Sequence, residues 1–243
     1  MSIFSIFFKN KESTTKIGSG TAIKVEQTLL PFDSVQSNIG GQIKYSQEKT
    51  GSSAVIRCDD NLVDIINLEV RGSTLFINFK NTGAITTVTN TPIEIFVTSS
   101  DLNRVEVSGI TEFVCEKLKT QKLQVNASGS SRVQFESLQA QQLQIVTEGS
   151  AKLGIAGEAQ FLRLRAEGVS KSDCSQLLAS RAQVDTSGTA TASVNCNEIL
   201  KAVASGVSKI RVYGAAPDRD LTMEGLGKIS LENEAERKNK KRF

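Results

Sequence analysis

Histidine is missing altogether from the 243 residues, which removes the commonest general base, proton shuttle and metal ligand. Tryptophan is absent too, and only two tyrosines occur, so there is little material for an aromatic platform on which sugars or bases could stack. No GxxxxGK[ST] loop is present to cradle a phosphate. Apolar residues nowhere run on for the ~18 positions a membrane-spanning helix needs. The opening, MSIFSIFFKNK, has IFSIFF as its only apolar block, with no basic segment before it and no small-residue cleavage site after it, which makes a poor export signal. A net charge of +3 is too small to imply a nucleic-acid or membrane partner by itself.

What the chain has instead is repetition. The phrases LQVNASGSSRVQFESLQAQQ and LQIVTEGSAKLGIAG are followed by LRLRAEGVSKSDCSQ, AQVDTSGTATASVNC and LKAVASGVSKIRVYG, each with one glycine at the same place. These glycines are Gly109, Gly129, Gly149, Gly168, Gly188, Gly206 and Gly225, at spacings of 20, 20, 19, 20, 18 and 19 residues. Four positions before each stand Val105, Val125, Ile145, Leu164, Val184, Ala202 and Leu221; six positions after stand Cys115, Phe135, Ile155, Cys174, Val194, Val212 and Leu231. All are apolar, as an array of equivalent units requires.

Within each unit apolar and polar positions alternate with period two, the signature of strands, whose successive side chains point to opposite faces. Each unit therefore reads as two short strands with a corner at the glycine, where a residue without Cβ takes positive φ at little cost, and a third short segment closing the coil. One unit cannot bury its inward face alone, but units stacked ~4.8 Å apart can. The LxxLxLxxN phrase of leucine-rich repeats is absent, so the expected fold is all-β, a parallel β-helix with coils of about 20 residues. Val125, Phe135, Ile145, Ile155, Leu164 and Val184 are expected to point inward.

Before the array, Val35, Ile43 and Tyr45 match the inward columns, so Phe32 to Gln47 reads as a first, degenerate coil. LEVRG and TLFINFK, joined at Gly72, read as a β-hairpin on the flank. Residues 17–231 are then one β-helical domain, with its repeats from about residue 101. Residues 1–16 form an apolar and basic segment that caps the first coil or lies on a membrane surface as a weak anchor. Residues 232–243, with five basic residues in the last seven, form a solvated, disordered tail; its functional alternative is weak attachment to anionic membrane or nucleic acid.

The cysteines, Cys58, Cys115, Cys174 and Cys196, have no metal-ligand spacing. Cys115 and Cys174 share a column but lie about 14 Å apart, and Cys174 and Cys196, offset by two positions in adjacent coils, are about 8 Å apart. They read as free core thiols, which fit a reducing compartment better than an oxidising one.

The order of GSG, PFDSV, CDDNLVDIINLEV and TLFINFK, followed by the serial corners VSG, ASG, TSG and ASG, resembles the putative auto-transporter adhesin, head GIN domain family. The resemblance covers most of the chain. It implies a single-stranded, right-handed parallel β-helix, a surface or adhesive role, and no catalytic residues to carry over. It also implies the cell envelope or surface as location, whereas the missing export signal and the free cysteines favour the cytoplasm for the chain as given.

The surface carries one pattern. The third position after each corner glycine reads Glu112, Arg132, Lys152, Lys171, Thr191, Lys209 and Lys228, a cationic column of five in seven. It is either a strip that meets an anionic polymer or a lipid-headgroup surface, or a structural column balanced across the corner by Glu148, Glu167 and Glu224. A carbohydrate-cleaving enzyme would need convergent carboxylates, whereas Glu148, Glu167, Asp173 and Asp185 are scattered over different columns. The expectation is a non-enzymatic adhesion-type or envelope interaction module with no cofactor, no metal, no specific nucleic acid and at most peripheral membrane contact. The alternatives are an intracellular scaffold that self-associates end to end and, third, a carbohydrate-active β-helix.

Overall fold

The computed structural model describes residues 14–80, 85–89 and 91–232. In chain order its elements are β1 (Thr14–Ile17), β2 (Ala22–Leu29), β3 (Ser34–Ser37), β4 (Gln42–Gln47), β5 (Ser52–Asp59), α1 (Asp60–Val63), β6 (Ile66–Arg71), β7 (Thr74–Phe79), β8 (Ile85–Val88), β9 (Glu94–Ser99) and β10 (Arg104–Val107). Then come the long strands β11 (Glu112–Ala127), β12 (Arg132–Thr147), β13 (Lys152–Ala166), β14 (Lys171–Thr186) and β15 (Thr191–Ala204), and finally β16 (Lys209–Tyr213), β17 (Asp218–Met223) and β18 (Lys228–Leu231). The molecule is 69% strand and 2% helix, a β-solenoid of about 6 turns.

The sequence period is the coil. Val105 stands beside Val125, Val125 beside Ile145, Ile145 beside Leu164, Leu164 beside Val184, Val184 beside Ala202 and Ala202 beside Leu221, all in parallel pairing. Each long strand bends around the rod, so β11 contributes Phe113 and Cys115, then Leu118, then Leu123, Val125 and Ala127 to the interior. All six residues expected to face inward do so, none more than 2% exposed. Tyr45, Phe113 and Phe135 form an aromatic stack through three coils, with ring centroids 6.4 and 5.7 Å apart. Burying a side chain of this size contributes on the order of 1.5–3 kcal/mol, and the interior repeats that gain coil after coil.

The seven corner glycines hold φ between +63° and +73°. Elsewhere in the corner no residue takes positive φ, and the N–H of Ser131 and of Ala151 donates back to the carbonyl of Ser128 and of Glu148, so the corner is a type II′ turn with glycine first. There is a second reason for glycine. A Cβ on Gly129 would lie 3.0 Å from the Gly109 nitrogen, and one on Gly188 would lie 2.8 Å from the Gly168 carbonyl oxygen. The gap is closed by hydrogen bonds: Ser130, Ser150, Val169, Thr189, Val207 and Leu226 each donate their N–H, at 2.7–2.8 Å, to the corner glycine one coil earlier.

Toward the N-terminal end the chain departs from the expected order. The degenerate coil is real, with Val35 beside Val105, Ile43 beside Phe113 and Tyr45 beside Cys115. The hairpin β6–β7 is no appendage on the flank, however. Strand β7 runs parallel to β3, with Leu75 and Ile77 fully buried, so it continues the rod. Strand β9 likewise stacks on β4, and β5 and β2 follow it antiparallel. The chain therefore winds one coil, doubles back to build a terminal coil and its antiparallel cover, and resumes at β10. Leu62, buried on α1, belongs to the same core. Strands β1 and β8 form a separate two-stranded sheet. The expected N-terminal cap or anchor and the basic tail lie outside the described residues, apart from residues 14–16 and 232.

Two substitutions separate the contributions of core and corner. Phe135→Ala should lower stability by about 3–5 kcal/mol, the cost of a large cavity in a close-packed interior. Gly129→Val should lower the melting temperature far more than Ser130→Val, because only the first forces both an unfavourable φ and a contact with the Gly109 backbone. Thermal melts of the three variants read both, and equal melting temperatures for the two corner variants would show that the corner is not the constraint.

Candidate functional site

The cationic column is in strict register. Glu112, Arg132, Lys152, Lys171, Thr191, Lys209 and Lys228 are successive neighbours across β11, β12, β13, β14, β15, β16 and β18. Toward the N-terminal end it continues through Gln42 and Glu94. The face is thus acidic at one end and basic along the rest, and each step is about 4.8 Å.

The balancing acids do not reach it. Glu167 pairs with Arg165 at 2.5 Å, and Glu148 and Glu224 form no ion pair among the described residues. The physical reason is the strand period: residues two apart share a face, so Arg165 presents itself to Glu167, while the corner turn separates Glu167 from the lysines beyond it. Arg104 with Glu106 and Lys24 with Glu26 repeat this geometry. Arg132 approaches Glu112 of the preceding coil at 3.7 Å. Lys171 has an interaction of its own, whereas Lys152, Lys209 and Lys228 have no carboxylate within ion-pair distance among the described residues.

A cavity of about 250 Å³ opens in the middle of the column. Arg132, Lys152 and Lys171 line one side, Gln134 and Asp173 bound it in the column of Gly154, and Glu136 and Gln176 lie on the far side, Gln176 beside Ala156. Its origin is local. The outward position that holds Gln134 on β12 and Asp173 on β14 holds Gly154 on β13, and Ala156 follows it. Strand β13 has 15 residues where β12 and β14 have 16, and the register slips by one beside Gly154 and again opposite Phe135. The outer surface is therefore lowered for one coil, and the amide end of Gln134 from the preceding coil leans over Gly154. Neither the groove nor its far edge was expected; the signals were the 19-residue spacing of Gly149 and Gly168 and a second glycine at an outward strand position.

The acids considered for catalysis are not brought together. Glu148 and Glu167 sit at the corner, Asp173 on the lysine-bearing face and Asp185 on the face that precedes the next corner, where Gln183 donates to it. No group of three or more acidic or cysteine side chains is placed to hold a metal ion among the described residues. At the capped end Asp59 is fully buried, accepting a hydrogen bond from Thr89 Oγ1 at 2.5 Å; the Thr89 and Thr91 hydrogen bonds hold its carboxyl below the usual range.

The four cysteines are free and buried, as expected. Cys174 stands beside Val194 and Cys196 beside Ala179, on the next side of the coil, so the two thiols do not share a stretch of strand as the sequence spacing suggested. Burial pushes the Cys58 thiol up to about 11 and the Cys115 thiol up to about 12, and raises Cys174 and Cys196 as well. Little thiolate exists near neutral pH, so the folded chain should react very slowly with a disulfide reagent at pH 8, and all four thiols should titrate rapidly in denaturant. A fast native thiol would contradict this burial.

Comparison with known proteins agrees with the architecture. The family described as Putative auto-transporter adhesin, head GIN domain, matches residues 31–216. A crystal structure of a putative adhesin from Bacteroides fragilis is similar at a TM-score of 0.84 and 24% identity, covering 89% of this chain and 100% of its own. A putative adhesin from Parabacteroides merdae is similar at 0.73 and 19%, covering 90% and 99%, and a protein from Parabacteroides distasonis described as a putative lipid binding protein is similar at 0.74 and 20%, covering 90% and 100%. A search of curated proteins finds no match. At these identities the solved structures speak for the fold alone, but the family match spans most of the chain and all but the last of its repeats: the chain belongs to the head GIN domain family of putative auto-transporter adhesins.

Proposed function

We propose that this chain is a non-enzymatic, adhesion-type interaction module of the cell envelope. The observation that carries the reading is that the interior is filled: the inward columns from Val35 to Val212 are buried side chains, which leaves no internal chamber for a substrate among the described residues, so partners are met on outer faces and ends. A rigid stack that repeats one surface pattern along its axis suits contact with extended polymers better than the closed, convergent geometry of an active site. Family membership supports the same reading.

The test is retention without turnover. The purified full chain, incubated with a panel of immobilised envelope and matrix polymers, should bind at least one saturably and release no product over hours. Time-dependent appearance of new reducing ends, abolished by heat denaturation, would replace the reading with catalysis.

A second reading, end-to-end self-association, is favoured by the last coil. Met223 and Leu231 continue inward columns yet are 59% and 56% exposed. If this end seats on another copy, sedimentation should show a concentration-dependent dimer that Met223→Lys abolishes; a monomer at all concentrations would remove it.

A further inference from the structure

We infer that the groove at Gly154, with the cationic column running through it, binds a carboxylated glycan chain laid along the rod axis. The inference rests on the adhesion-type reading and names the ligand class of that surface.

The column is a cost without a ligand. Like charges directly opposite one another on neighbouring strands repel, and here Arg132, Lys152 and Lys171 are stacked on three consecutive coils. Of these three, Arg132 approaches Glu112 and Lys171 has an interaction of its own, while Glu167 is engaged with Arg165 and no acid pairs with Lys152 among the described residues. Lys152, Lys209 and Lys228 have no carboxylate of the protein within ion-pair distance among the described residues. An external anion satisfies such a column, and one that repeats its charge along a chain satisfies it at several coils at once.

The groove decides among polyanions. A flat bilayer surface does not enter a depression one coil wide, whereas a sugar ring does, settling beside half-buried Gly154 and Ala156 as the end of Gln134 swings aside. The two edges differ in chemistry. Cations on one side take a carboxylate, and Glu136 and Gln176 on the far side are of the kind that accepts hydrogen bonds from, and donates them to, hydroxyls. A ligand with a carboxylate on one side of its ring and hydroxyls on the other is complementary to both edges. A nucleic acid is not: its phosphates would meet Glu136 and Asp173, and the groove lining includes no aromatic residue for base stacking. Beyond the groove, Lys209 and Lys228 extend the column toward the C-terminal end, so successive sugar units have further cations to follow.

The experiment titrates the full chain with short and long oligogalacturonates by calorimetry, at low and at physiological salt, beside a neutral glucan of equal length and vesicles containing an anionic phospholipid. The parent should bind the oligogalacturonates, more weakly as salt rises, and should bind neither the glucan nor the vesicles. Lys152→Gln should weaken binding of both lengths about five- to tenfold. Lys209→Gln should weaken the long oligomer and leave the short one unchanged. Gly154→Leu should weaken both lengths while leaving the charge intact; its Cβ meets the flexible end of Gln134, so that side chain can swing aside and the fold should persist, as a melt would verify. No binding to oligogalacturonate at low salt overturns the inference. So does equal binding by the parent and Gly154→Leu, which would reduce the column to an unspecific charged strip, and so does a preference for vesicles. Binding to the neutral glucan alone would leave the adhesion-type reading standing and remove only this one.

Discussion

The structure depends on how closely two corners approach. At each turn the backbone of one glycine lies over the backbone of the previous one, near enough that a Cβ would stand 2.8–3.4 Å from main-chain atoms at the five corners from Gly129 to Gly206 and at Gly225. That approach lets the N–H after each glycine bond to the glycine carbonyl one coil earlier, so the hydrogen-bond ladder continues through the turn instead of ending at the strand. A corner with side chains would hold adjacent coils apart and leave these groups to water. Because a slip of one residue would turn every inward side chain outward, a corner that admits only glycine also selects the register.

Register is what converts a sequence column into a physical column. Once the corners are locked, the positions that hold Phe113, Val133 and Leu153 have to stack inside, and those that hold Arg132, Lys152 and Lys171 have to stack outside. The interior tolerates variation in size, with Phe135 between Cys115 and Ile155, because an aromatic ring in one coil is offset by a smaller residue in the next. The exterior has no such compensation. A small residue there, as at Gly154, leaves a hollow that the amide end of Gln134 from the neighbouring coil leans over.

This explains which parts were legible. The coils, the inward columns, the corner φ values and the degenerate coil at Val35, Ile43 and Tyr45 follow from period two and from the glycine spacing, and all are local properties. The capped end was misread because pairing there ignores chain order: β7 and β9 come later in sequence than β3 and β4 yet stack outside them, and a strand pattern says that a residue is buried without saying by what. The pairing of Glu167 was misplaced for a related reason. Proximity across a corner looks close in sequence, but a turn redirects side chains, and Arg165 two residues back on the same face is the nearer partner.

The groove shows how a repeat acquires individuality. Four faults break the otherwise regular pairing of the long strands: opposite Phe135, beside Gly154, after Cys174 and after Ala179. All lie on the stretch that follows the lysine-bearing strands, away from the corner, so the faults are absorbed where the coil is longest and the glycine contact is untouched. A shortened coil relocates no inward residue on the corner-flanking sides, since Leu164 still meets Ile145 and Val184. It does change the outline of the surface, lowering one coil relative to its neighbours, as a bulge redirects side chains at the edge of any sheet. In a rod built from repeated units, a place where the outline departs from the repeat, as at Gly154, is a place that can distinguish one ligand from another.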